Sequence, residues 1–328
     1  MPQALVVLYP LALALMPSRL AGMLTWVPPP PRGADPELDR VSEWFESQGD
    51  LEQTFGMCVR TAIDEVIDTP RTGRWNLDDC GKQEQAYVGV KVEHVIRARF
   101  DLACGPNRMD YCIDGVDVDC KWSKNWGGWE IPREAVGHVC LLVWACDDDC
   151  EFAVGVLRIR EDILVGGNQD KKRKIQSPEG RGEIRWLVPR TNALPPNFLL
   201  QLPDEDRQAI LGHKGGDARA RELFLRCEGV VIRRHTIESI GQQIDEARRF
   251  RGETRQNMRN LGFEVLNGHW RADRTRALDL GGVVIANHTE WVCLRTDGST
   301  PRRLEEKPKQ RRLATMPGTS AGTKARNR

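Results

Sequence analysis

Residues 109–121 read Met-Asp-Tyr-Cys-Ile-Asp-Gly-Val-Asp-Val-Asp-Cys-Lys, and no other run constrains the fold as tightly. Asp114-Gly115 between two alternating segments is a strong short-range hairpin signal. With those two residues as the loop, Ile113 faces Val116, Tyr111 faces Val118 and Asp110 faces Asp119. The alternation of side chains along a strand then sorts them. The apolar pairs share one face, and Asp110, Asp117, Asp119 and Lys121 share the other.

Two carboxylates directly opposite on a ribbon have Cβ atoms about 4.5–5.5 Å apart and repel unless positive charge lies between them. A divalent cation with oxygen ligands satisfies them, and Mg²⁺ takes one or two carboxylates plus water and phosphate. Lys121, two residues after Asp119, presents its ammonium on the same face. There it can orient or deprotonate an attacking water, or neutralise a phosphorane-like charge. Glu93, on a predicted helix before the hairpin, is a further acid able to reach the ion or its water shell. Asp-x-Lys alone also fits a solvent-facing acidic strand with a salt-bridging lysine. The opposed Asp110, the helix-borne Glu93 and the apolar strand that follows make a rarer combination than any single part.

Around this hairpin the periodicity is mixed. Asp35 is positioned to cap a helix running to about Gln53, Leu51 to Ile67 has a second helical pattern, and Asp79 to Phe100 reads as a long helix. The period then becomes two over Met109–Ile113, Val116–Trp122, Val139–Cys146 and Glu151–Arg160. The run from Cys140 to Ala145 is apolar on both faces, as a central strand requires. Residues 170–185 read as a polar, basic connection. An α/β domain with a mixed central sheet flanked by helices is expected over residues 36–186, followed by a linker at 187–196.

Composition matters at that boundary. The chain's net charge of +1 conceals 22 basic and 30 acidic residues up to position 186, against 26 basic and 17 acidic after it. An acidic half suits a metal and a basic half suits a polyanion. From Asp217 to Leu261 three helices are expected, at Asp217–Cys227, His235–Arg251 and Thr254–Leu261. Strands follow at Phe263–Leu266, Val283–Ala286 and Trp291–Leu294. That order resembles a winged helix-turn-helix over 197–300. Arg233, Arg234, Arg248, Arg249, Arg251, Arg255 and Arg259 gather there, with Thr254 and Gln256 on the third helix. Arginine favours phosphate and guanine, and glutamine favours adenine; a solvated basic face on a packing domain is the other reading. Arg71 and Arg74 in the loop before the long helix are candidates for a phosphate clamp, or for a structural turn around Trp75.

Ten cysteines show no CxxC spacing, and the histidines show no paired ligand spacing, so zinc and a disulfide framework are not expected. A reduced, cytoplasmic protein is. The apolar stretch Ala4 to Met16 has no preceding Lys or Arg and is interrupted by Pro10, so neither a signal peptide nor a membrane span is expected. Residues 1–35 read as an unstructured leader, with a start at or after Met23 as the alternative. Residues 301–328 read as a basic disordered tail.

The arrangement resembles the PD-(D/E)xK superfamily and, within it, the NaeI family of type II restriction endonucleases. The similar text is Arg71-Thr-Gly-Arg-Trp-Asn, Val92-Glu93, Asp110-Tyr111, Val118-Asp119-Cys120-Lys121, Gly137-His138 leading into Cys140–Ala145, and Ser177-Pro-Glu-Gly-Arg181. More weakly it continues through Asn197 and the helices after Asp217, covering roughly residues 38–290. The resemblance implies a Mg²⁺-dependent, site-specific cutter of double-stranded DNA, acting as a homodimer. Glu93, Asp110, Asp119 and Lys121 would be the catalytic positions, with the three acids at the metal. It also implies that the C-terminal domain binds a second, activating copy of the DNA site. The Glu93–Asp110 spacing is one residue longer than in the family's namesake. The segment Val66-Ile67-Asp68, where the family is reminiscent of DNA ligases, has no lysine to carry an adenylate. A repair endonuclease, or a transcription regulator with a silent nuclease domain, are the alternatives; the complete Asp110/Asp119/Lys121 set speaks against the second.

Overall fold

The structure, a computed structural model, describes residues 30–105, 107, 109–167, 172–176, 179–242 and 253–299. Among the described residues four α-helices, one of them a single turn, precede the first strand. Asp35 accepts a hydrogen bond from the Leu38 amide and starts α1 (Pro36–Glu46); Asp50 does the same for Gln53 and starts α2 (Leu51–Ile67). Expecting one helix to Gln53 ran past the break at 47–50, where Asp50 supplies a second N-cap. A single turn, α3 (Thr69–Thr72), leads to α4 (Lys82–Phe100), whose buried side carries Val88, Val92, Ile96 and Phe100.

The strands that follow are β1 (Tyr111–Ile113), β2 (Val116–Ser123), β3 (Glu130–Ile131), β4 (Val139–Cys146), β5 (Glu151–Arg158), β6 (Leu164–Val165), β7 (Arg173–Ile175) and β8 (Arg185–Thr191). Five of them form a mixed sheet in the order β1-β2-β4-β5-β8, with β2 and β4 parallel and the other neighbours antiparallel. As the unbroken apolar run predicts, β4 is the middle strand. Its residues divide between two cores: Val139, Leu141, Val143 and Ala145 pack with α1, α2 and α4, while Cys140, Leu142 and Trp144 face the opposite way. That opposite face is covered by the small sheet β3-β7-β6 and Trp129, so among the described residues the long helices lie on one side only.

Two expectations about the connections change. Part of the presumed polar stretch 170–185 is β7, which buries Ile175 between β3 and β6. The presumed linker 187–196 continues β8 to Thr191, with Val188 paired to Val154, and then buries Leu194 in the helix-side core. Pro189 is compatible with this strand because proline is tolerated on a sheet edge, where β8 lies.

The remaining residues build a second core from Leu199, Ile210, Leu223, Phe224, Ile237, Ile240 and Met258. Helices Gly216–Arg226, Arg234–Gly241 and Glu253–Asn260 surround it. A sheet β10-β11-β9 closes it, formed by β9 (Ile232–Arg233), β10 (Phe263–Asn267) and β11 (Glu290–Arg295). The expected strand at Val283–Ala286 is absent. A helix, Arg271–Gly281, stands before it, buries Ala277 and Leu280 and ends at Gly282, after which Val284 is exposed. Trp75 joins the two units: it packs against the second core, with the Arg207 guanidinium 4.3 Å from its ring centroid. No helix among the described residues is long and apolar enough to cross a membrane.

Candidate active site

The hairpin has the register its alternation predicts: Ile113 pairs with Val116, Cys112 with Asp117 and Tyr111 with Val118. Asp114 and Gly115 both adopt positive φ, 47° and 76°, the backbone of a two-residue type I′ turn. Tyr111, Ile113, Val116 and Val118 are buried against the helices. The opposite parity sends Asp119, Lys121 and Ser123 to the other face of β2, where the Cys140 thiol lies 3.7 Å from Asp119 Oδ2. Asp117 turns instead to Asn107, whose amide donates to it.

Asp110 sits one residue before the paired ladder. Its Oδ2 accepts the Cys120 amide at 2.7 Å, and its carbonyl accepts Arg97 Nη2 at 3.0 Å. The Lys121 ammonium lies 2.6 Å from Asp119 Oδ2 and 3.9 Å from Asp110 Oδ2, so it spans both carboxylates. Burial pushes the Asp119 carboxyl up to about 6; Asp110 adds to that and Lys121 opposes it. Burial pulls the Lys121 ammonium down, but Asp119 and Asp110 outweigh it and leave it raised.

Glu93 stands on α4, which packs on the helix side of the sheet, away from the face that presents Asp119. Its carboxylate is engaged by Arg97 one turn on. Burial raises Glu93 and Asp110 raises it further, against Arg97. The Tyr111 hydroxyl donates to the Glu93 carbonyl at 3.0 Å, tying helix to hairpin. Among the described residues no three His, Cys, Asp or Glu side chains converge as a ready-made ion-binding group. The two aspartates still offer a hard-oxygen donor set of the size Mg²⁺ takes when phosphate and water fill its other positions. Arg97 was missed in the sequence, although a position four residues after an acid on one helix face is a readable signal.

The candidate DNA contacts divide. Arg71 is exposed beside Asp68. Arg74 is held in a two-pronged pair with Glu84, at 2.9 and 2.8 Å, and Glu84 also accepts the Gly81 amide at the start of α4. That pair engages both terminal nitrogens of Arg74 within the protein. Arg255 is likewise internal: its Nε donates to the Val265 carbonyl at 2.7 Å, it pairs with Asp273, and it lies against the Trp291 ring. Thr254 is buried on Asp217. Gln256 and Arg259 are exposed on the same helix. Arg233 donates to the Pro196 carbonyl and Arg234 pairs with Glu238. Arg248, Arg249 and Arg251 lie outside the described residues. All ten cysteines are unbridged.

The family model described as restriction endonuclease NaeI matches residues 39–312. The type II restriction enzyme NaeI of Lentzea aerocolonigenes is 37% identical over 256 residues, covering 75% of this chain and 80% of that protein. The chain belongs to the NaeI family of restriction endonucleases.

Proposed function

We propose that this chain is a type II site-specific deoxyribonuclease that hydrolyses phosphodiesters of double-stranded DNA with Mg²⁺, on a nuclease domain of PD-(D/E)xK type. One observation carries the reading: Asp110, Asp119 and Lys121 meet on one side of a register-locked hairpin, with the ammonium within 4 Å of both carboxylates. Asp110 and Asp119 would hold the ion. When bound, it supplies charge neutralisation at the scissile phosphate and lowers the pKa of water. The Cys120 amide fixes the Asp110 carboxylate, so that donor is oriented before substrate arrives. Lys121, held charged by its two neighbours, is suited to neutralising a phosphate oxygen rather than to taking a proton. Glu93 acts at one remove, through Arg97 and the backbone of Asp110.

The second unit supports a winged-helix reading. Helix Gly216–Arg226, β9, two further helices, then β10 and β11 follow the winged-helix order, with β9 beside β11. The helix at 271–281 occupies the place of a simple wing. Gln256 and Arg259 project from the helix that would enter the groove, the site for a second copy of the DNA. A homodimer follows from the need to cut both strands. The test is plasmid digestion by the wild-type chain and by Asp119→Ala, each with Mg²⁺ or EDTA. Discrete fragments from the wild type with metal alone support the reading; fragments from Asp119→Ala, or none from the wild type under any divalent ion, refute it.

A further inference from the structure

The face of β2 that bears Asp119 and Lys121 continues into a loop with a distinct surface. Ser123 folds the chain over by accepting from the Asn125 amide and donating to its carbonyl, and Trp126 follows, 41% exposed. Trp126 stacks on Trp186 with centroids 5.5 Å apart and planes 14° from parallel, and meets Trp144 edge-on at 4.8 Å. Arg190 lies over the Trp144 and Trp126 rings, at 4.9 and 5.5 Å. The next residue, Gly127, has φ 72°, and the Arg181 guanidinium fills the space where a Cβ would stand.

Arg181 differs from its neighbours. Arg158, Arg160, Arg173, Arg185 and Arg190 are all ion-paired with carboxylates. Arg181 has no carboxylate partner among the described side chains, and its Nε is buried without a hydrogen-bond acceptor. Its backbone is pinned by hydrogen bonds to Gln176 and Ile184. Desolvation lowers its pKa. A partly dehydrated, uncompensated cation gains most from an anion. A neutral base edge would satisfy its donors but not its charge.

Given the nuclease reading above, we propose that Arg181, seated on Gly127 beside the exposed Trp126, binds a backbone phosphate of the DNA lying across the catalytic face. It positions the duplex and does not touch the reacting atoms. The flat Trp126–Trp186 stack gives the strand an apolar rest, and Arg190, already paired with Glu151, contributes less charge.

The test measures duplex binding in EDTA, where binding is read without cutting, by the wild-type chain, Arg181→Ala and Arg181→Lys. Arg181→Ala is expected to weaken binding about tenfold on every sequence and to reduce the salt slope by about one unit. Arg181→Lys retains the slope while losing part of the affinity, which separates charge from folding. Duplexes with a single neutral methylphosphonate locate the contact. One position should weaken the wild type and leave Arg181→Ala unaffected. Unchanged affinity and slope in Arg181→Ala, a loss confined to one base pair, or full additivity at every methylphosphonate position would each overturn the assignment. Plasmid cleavage by the wild type is scored separately. If it fails with every divalent ion, the nuclease reading falls; if it succeeds while Arg181→Ala binds normally, only this inference does.

Discussion

The Lys121 ammonium lies 2.6 Å from Asp119 Oδ2, and the two side chains leave β2 on the same face, two residues apart. The contact depends on the strand period: a slip of one residue would send Asp119 into the helix-side core, where Val118 and Cys120 now sit. The turn at Asp114-Gly115 and the buried Tyr111–Val118 pair hold that register. Removing the ammonium while keeping the stem, as in Lys121→Met, should therefore affect chemistry more than binding. Single-turnover cleavage is expected to fall about 10²–10³-fold, the cost of losing one preorganised charge at a reacting phosphate. Duplex affinity should change less than about threefold. A parallel collapse of affinity would show that Lys121 serves mainly to bind.

The raised carboxyl of Asp119 gives a pH prediction. Its folded value of about 6 exceeds the ordinary aspartate value of about 3.8, so the folded protein binds the extra proton more readily than the unfolded chain. The associated stability is present below about pH 3.8 and is lost as pH rises through 6. In EDTA, Asp119→Asn should remove that loss. Relative to this variant the wild type is expected to be less stable at pH 7.5 than at pH 4.5, by on the order of 1–2 kcal/mol in urea unfolding. A difference that is flat with pH, or of opposite sign, counts against a desolvated Asp119.

Much of this was legible from sequence because the informative interactions are local. Hairpin register follows from alternation and a two-residue turn, α2 from the helical stripe of Leu51–Ile67, and the middle position of β4 from the apolar run Cys140–Ala145. Long-range ion pairs were not legible. Arg74 and Arg255 looked like DNA contacts because their types and positions suit the task. Glu84 and Asp273, 10 and 18 residues away, hold them instead. The same limit hid β7, whose three residues are a strand only because β3 and β6 lie beside them.

Glu93 and Arg97 make a pair whose role can be separated from that of the aspartates. Arg97 joins the Glu93 carboxylate to the Asp110 backbone, so Glu93→Gln is expected to reduce the cleavage rate by about tenfold. The half-saturating Mg²⁺ concentration should stay within about twofold. Asp110→Ala should abolish cutting. A large rise in the metal requirement of Glu93→Gln would instead make it a direct ligand.

Arg255 and Arg259 lie one helical turn apart, and their environments assign them opposite behaviour. Arg255 is bound to Val265, paired with Asp273 and packed on Trp291, while Arg259 is exposed. Truncating Arg255 leaves the Asp273 carboxylate and the Val265 carbonyl short of a donor in a part-buried site, which costs about 2–4 kcal/mol. Arg255→Ala should therefore lower the melting temperature by several degrees, with any loss of DNA binding following the unfolded fraction. Arg259→Ala should melt with the wild type and weaken duplex binding by a factor of about 5–20, with a shallower salt dependence. Thermal melts and binding titrations on the two variants check both halves. Reversed results would mean that this helix meets DNA through its Arg255 side.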